Sequence, residues 1–228
     1  MKIILSDPDI LSFADASGDI CYGGSQEWYK DFWRRKSGCG PVAASNIIWY
    51  LTRQQGSRDQ YIELMNEMFT FVTPGMRGVN NASIFSEGII EYVKKHGLLF
   101  APHVLELPAK PNNRPGLDTV YEFIESALRA DSPVAFLCLS SGKVDNLDDW
   151  HWVTIISLDT DATKIEVLDY GKRLDVCISA WLESSRLGGA LVFLNQGSGN
   201  CISKTEVSAA RTSRYYSKLP EAFRCIFL

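Results

Sequence analysis

Cys39 is the residue whose setting most invites chemistry. It stands in Ser37-Gly38-Cys39-Gly40-Pro41, where a glycine-flanked turn enters a helical pattern that continues to about Arg53. Pro41 suits the first helical turn, because its missing N–H is not needed there. A thiolate at such a point faces unpaired backbone N–H groups and the positive end of the helix dipole. Both favour the nucleophilic form at neutral pH. The flanking glycines allow close approach of a substrate carbonyl, and the Cys39 N–H can point toward an oxyanion. The expected chemistry is attack on an acyl carbon.

A thiol nucleophile needs a base, and the chain has 3 His. His96 ends an amphipathic helix, a common structural place for imidazole. His103 falls in a proline-rich connection. His151 heads the apolar strand Trp150-His151-Trp152-Val153-Thr154-Ile155, held rigidly between two tryptophans that would shield it from water. Asp169 closes the next strand, in Val167-Leu168-Asp169-Tyr170-Gly171, 18 residues after His151. If these two strands form a hairpin, Asp169 lies against His151 and can accept an imidazole N–H. Each residue also has a plain structural reading: a buried thiol, a satisfied core histidine, a turn-favouring Asp before a glycine.

Helical patterns span residues 39–53, 58–69 and 82–96, and a fourth starts at Thr119, which has capping-box spacing to Glu122, and runs to about Ala130. Residues 100–117, with four prolines, read as a loop or short extended connection. Strands are expected at 133–139, 152–158, 164–170, 173–178 and 190–195, with a short helix at 179–185 carrying Trp181. Helices first and strands later predict an α+β domain, with a helix headed by Cys39 packed on an antiparallel sheet. The expected organisation is one domain over 1–228. It comprises a loop-rich N-terminal segment (1–37), a catalytic core (38–195) and a C-terminal arm (196–228).

At these residues the chain resembles the papain-like cysteine peptidase superfamily. The closer likeness is to the small bacterial branch of double-glycine (bacteriocin-leader) peptidases and their stand-alone relatives. It rests on Ser37 to Asn46, His151-Trp152-Val153 and Leu168-Asp169-Tyr170-Gly171, and covers about residues 26–195. The resemblance implies a papain-like fold, a thiolate–imidazolium pair of Cys39 and His151, and Asp169 orienting the ring. It also implies an oxyanion-donating Gln a few residues before the nucleophile. Trp33 stands six before Cys39 here, and the upstream glutamine is Gln26, 13 residues away. A looped insertion containing residues 31–36 would restore its position.

The implied activity is that of a cysteine peptidase or amidohydrolase acting on a peptide or protein substrate, with no metal or organic cofactor. The rival readings are a thioester-forming acyltransferase of the transglutaminase or phytochelatin-synthase kind, and a catalytically silent binding module. Composition excludes other classes. The formal charge is -4, and Arg34-Arg35-Lys36 is the densest basic run, so nucleic acid is not an expected partner. Asp7, Pro8 and Asp9 interrupt the apolar start, so neither an export signal nor a membrane partner is expected, and the predicted setting is cytoplasmic with reduced thiols. The acidic stretch Asp145, Asn146, Asp148, Asp149 reads as a solvated loop, and Gly23-Gly24 as no cleavage site.

Overall fold

The change of hydrophobic period along the chain becomes a change of layer. The computed structural model describes residues 1–14 and 17–196. Six strands lie in the order β4 (Phe100–Leu107), β9 (Gly189–Gln196), β5 (Val134–Cys138), β6 (His151–Asp159), β7 (Lys164–Asp169) and β8 (Lys172–Cys177). β1 (Lys2–Ile4) pairs with the far half of β6 and makes the sheet seven-stranded. Every pairing in it is antiparallel. β2 (Ser12–Ala14) and β3 (Ile20–Tyr22) form a separate two-stranded sheet. The helices are α1 (Phe32–Ser37), α2 (Cys39–Leu51), α3 (Arg58–Phe71), α4 (Ala82–Lys95), α5 (Leu117–Arg129) and α6 (Ile178–Ser184). The chain is therefore α+β with an antiparallel sheet.

Side-chain alternation assigns the layers. Trp152 and Thr154 share one face of β6; Trp152 stacks on Phe85 of α4, and Thr154 accepts a hydrogen bond from Asn46 of α2. On the opposite face, Phe136 meets Trp181 of α6 edge-on, and Phe193 meets Phe123 of α5. With both faces covered, β5 is buried throughout and β6 at all but its last residue. This is why these strands read as unbroken apolar runs rather than as alternating ones. Among the described residues, no helix is long and apolar enough to cross a membrane. Cys21, Cys39, Cys138 and Cys177 are free thiols, whereas Cys201 and Cys225 lie outside the described residues.

Several expectations are corrected. Of the two alternatives for residues 100–117, the extended one holds over 100–107, and as a full strand rather than a short connection: β4 pairs with β9 over its whole length, and His103 sits on it, stacked on Phe193. Pro102 is tolerated because β4 is an edge strand, where a missing N–H breaks no ladder bond. Thr119 does not cap α5. That helix opens at Leu117 behind an extended Gly116, leaving Thr119 inside the first turn. The true capping box is Ser57 with Gln60, at the start of α3. The first 37 residues are loop-rich, but they also supply β1 to the sheet and α1 immediately before the cysteine. The C-terminal arm, apart from Gln196 at the end of β9, lies outside the described residues.

One polar cluster ties the N-terminal segment to the body. Asp131, in the turn after α5, accepts hydrogen bonds from Ser6 N–H, Ser6 Oγ and Tyr50 Oη, and pairs with Arg53. Partial burial works against its ionisation, yet the hydrogen bonds from Ser6, Tyr50 and Arg53 hold its carboxyl down at about 2. A carboxyl depressed in the folded state stabilises the fold above its ordinary range, and that stability is lost as pH falls through the lowered value. We expect acidification from pH 5 to pH 2 to remove about 1–2 kcal/mol through this group, after discount for solvent screening. Urea unfolding across that range checks it. Asp131→Asn should flatten this part of the profile, and an identical profile in the variant would contradict the assignment.

Candidate active site

Cys39 is the first residue of α2, so its N–H has no acceptor within that helix. The helix starts here because α1 ends at Ser37 and the chain turns at Gly38. The glycines on either side have a different reason from the expected one. A Cβ on Gly38 would lie 2.4 Å from the Arg34 carbonyl oxygen and 2.5 Å from the Tyr29 ring. A Cβ on Gly40 would lie 2.8 Å from the Val79 side chain. The protein itself fills the space that glycine frees. These contacts pack the head of α2 against Tyr29 on one side and the loop before α4 on the other.

β6 and β7 form the expected hairpin, with Thr154 opposite Leu168. One step further, Asp169 and His151 share a face on a diagonal, and His151 Nε2 lies 2.7 Å from Asp169 Oδ1. Both side chains are nearly sealed from solvent. Cys39 lines the same small cavity as His151 and Asp169, so the thiol and the imidazole face one space. Burial alone would push the imidazole toward its neutral form. The hydrogen bond to Asp169, with the thiol of Cys39 close by, outweighs it and raises the His151 pKa to about 10. The imidazolium is thus the favoured form across the neutral range. Its contribution to stability is full below the ordinary histidine range and is lost as pH rises through about 10.

The expected shielding by two tryptophans is only half right. Trp152 is buried against Phe85 and donates to the Val79 carbonyl, but Trp150 is 48% exposed. The cover over His151 is Tyr170, whose ring stacks on the imidazole at 5.2 Å with planes 10° apart. Tyr170 and Gly171 both have positive φ, 46° and 76°, in the two-residue turn between Asp169 and Lys172. That is the hairpin geometry that favours Asn or Gly at both places. A tyrosine there stores backbone strain, and Trp150, next to His151, does the same at φ 58°. Such strain costs on the order of 1–3 kcal/mol per residue and clusters at functional sites. Tyr170 Oη donates to Asp148 at 3.3 Å, which gives one member of the acidic loop a definite partner.

Gln26 lies in the short 3-10 turn Gln26–Trp28, yet it lines the same small cavity as Cys39, His151 and Asp169. Most of the residues expected to form a looped insertion, 32–36, lie instead in the helix α1. The cavity is about 10 Å³, room for roughly one water. Gln26 Oε1 is buried in it without a hydrogen-bond partner among the described residues. His96 and His103 are elsewhere: His96 caps α4 beside Glu67, and His103 is on β4.

Asn46 is the residue whose role the sequence did not disclose. Two turns along α2 from Cys39, it is 1% exposed and fully engaged. Its Oδ1 accepts from Gly24 N–H at 3.0 Å and from Tyr61 Oη at 2.6 Å, and its Nδ2 donates to Thr154 at 2.9 Å. One amide thereby fixes the segment leading to Gln26, α3 and the His151 strand to the cysteine helix. The available signal was a polar amide inside an apolar helix, which must be satisfied when buried.

Asn46→Ala would leave buried groups of Gly24, Tyr61 and Thr154 short of a partner. We expect a loss of about 2–4 kcal/mol in denaturant unfolding. An exposed amide such as Asn113, replaced by Ala, serves as the control and should stay within about 0.5 kcal/mol. Equal effects at the two positions would refute the positioning role.

Compared with models of protein families and with curated proteins, the chain matches none of them, so its chemistry has to be read from its own residues.

Proposed function

We propose that the protein is a thiol-dependent hydrolase of peptide or amide bonds, with the papain-like arrangement that its sequence resembles. The observation that carries this reading is the buried His151–Asp169 hydrogen bond, which opens onto the small cavity that Cys39 also lines. A structural histidine needs no thiol facing it from the head of a helix. A nucleophile–base pair needs all three groups in this order.

In the proposed reaction the Cys39 sulfur attacks the carbonyl carbon, forming the C–S bond as the carbonyl electrons move to oxygen. Cys39 N–H donates to that oxyanion. Gln26, which lines the same cavity and whose Oε1 has no hydrogen-bond partner among the described residues, is the second proposed donor, through Nε2. His151 gives its proton to the leaving nitrogen as the C–N bond breaks, and a thioester remains. Water then adds to the thioester while His151 takes its proton. Collapse of the adduct breaks the C–S bond: the acid leaves, the sulfur keeps the electron pair, and the proton on His151 restores the starting pair. Asp169 keeps the imidazole oriented throughout.

A peptide mixture of defined composition, incubated with the protein and read by mass spectrometry, tests this. New termini should form with the wild-type chain and vanish with Cys39→Ala and His151→Ala. Asp169→Asn should lower the rate by about 10²–10⁴-fold, since the ring loses its fixed tautomer. Gln26→Ala should lower kcat by about 10–10³-fold with little change in KM, as loss of one oxyanion donor does. Cleavage that survives Cys39→Ala, or no cleavage by any form, would overturn the proposal.

A further inference from the structure

Beside the small catalytic cavity, Cys39 also borders an open groove of about 560 Å³. Its walls come from three separate elements. Trp33 and Lys36 stand on α1, Trp150 precedes β6, and Met76 and Arg77 form the tip of a tight turn. That turn is built rather than loose. Gly75 and Gly78 exchange both backbone hydrogen bonds across it, and the neighbouring Val79 accepts from Trp152 and packs on Gly40. The turn is therefore anchored to the cysteine helix and to the histidine strand together.

Two features of the groove point to a ligand. Met76 is 99% exposed, and Trp33 and Trp150 are each 48% exposed. Large apolar side chains gathered around one opening mark a binding surface rather than scattered surface residues. The second feature is charge. The chain as a whole carries -4, yet the charged groups lining this groove are Lys36 and Arg77, with no carboxylate among them.

Neither cation has a carboxylate partner among the described residues. Lys36 Nζ only overlies the Phe32 ring at 5.8 Å. The other cations of the same run are committed: Arg34 donates to Asn66, and Arg35 donates to the carbonyls of Tyr29 and Lys30. The carboxylates just before Trp150 are engaged too, Asp148 by Tyr170 and Asp149 by Ser141 N–H.

We propose that this groove selects peptides in which a bulky apolar side chain is flanked by acidic residues. The apolar side chain packs among Trp33, Met76 and Trp150, and the carboxylates meet Lys36 and Arg77. The inference rests on the hydrolase reading for its site, but it concerns recognition and is separable from turnover.

The test uses the full chain with Cys39→Ala, which binds without turnover. Two fluorophore-labelled peptides share a Leu-Phe centre, one flanked by Glu on both sides and the other by Lys. Fluorescence anisotropy should give at least tenfold tighter binding of the acidic peptide, weakening as salt is raised. Adding Lys36→Glu and Arg77→Glu should remove or invert the preference, and Lys36→Ala with Arg77→Ala should abolish it. Both positions are exposed, and an unchanged near-UV circular dichroism spectrum shows that the fold persists. Equal binding of the two peptides, binding of neither, or a preference indifferent to these substitutions would overturn the inference. Preserved acidic preference in a chain that cleaves nothing would sink the hydrolase reading and leave this one standing. Cleavage without charge preference would do the reverse.

Discussion

The site depends on a contact that water would normally dissolve. An imidazole and a carboxylate at 2.7 Å are worth little at a surface, where solvent competes for both. Here both are nearly sealed, so the charged pair must be held by geometry and by further hydrogen bonding. The β6–β7 hairpin sets the diagonal that joins His151 to Asp169. The head of α2 brings Cys39 into the same cavity. Tyr170 closes the face that solvent would otherwise reach. Removing Asp169 or His151 would leave a buried group without its partner, which is more costly than never having buried the pair.

The architecture follows from holding a helix end against a strand end. α2 is almost wholly buried and packs on β6 through Asn46, a polar anchor in an apolar interface. Gly38 and Gly40 let Tyr29 and Val79 crowd the start of the helix, so the cysteine backbone has little freedom to shift. The strained turns at Trp150 and Tyr170 sit immediately outside the two strand ends. Their unfavourable conformations are offset by the surrounding packing, and they aim one indole at the groove and one phenol ring at the imidazole.

Much of this was legible in the sequence, for identifiable reasons. Cys39, His151 and Asp169 could be joined because hairpin connectivity converts spacing into proximity, and because the strands are apolar enough to read. The both-faces-covered sheet made β5 and β6 stand out as continuous runs. Other parts were hidden by local chemistry that tertiary structure overrides. Prolines disguised β4, which tolerates them only as an edge strand. Tyr170 occupies a turn position where propensity favours Asn or Gly, so nothing local marked it as the cover of the histidine. Gln26 could be placed only conditionally, since its approach to Cys39 depends on α1 coiling the intervening residues. Asn46 had no sequence signal beyond its polarity, because its three partners come from distant segments.

The central claim is that His151, held by Asp169, is the acid–base partner of Cys39. Alkylation by iodoacetamide at neutral pH, followed peptide by peptide in the wild-type chain and in His151→Ala, measures it directly. The account predicts that Cys39 reacts fastest of the four described thiols and slows by about tenfold or more when the imidazole is removed. A Cys39 that reacts no faster than the other thiols, or whose rate is unchanged in His151→Ala, would contradict the account and leave the cysteine a buried structural residue.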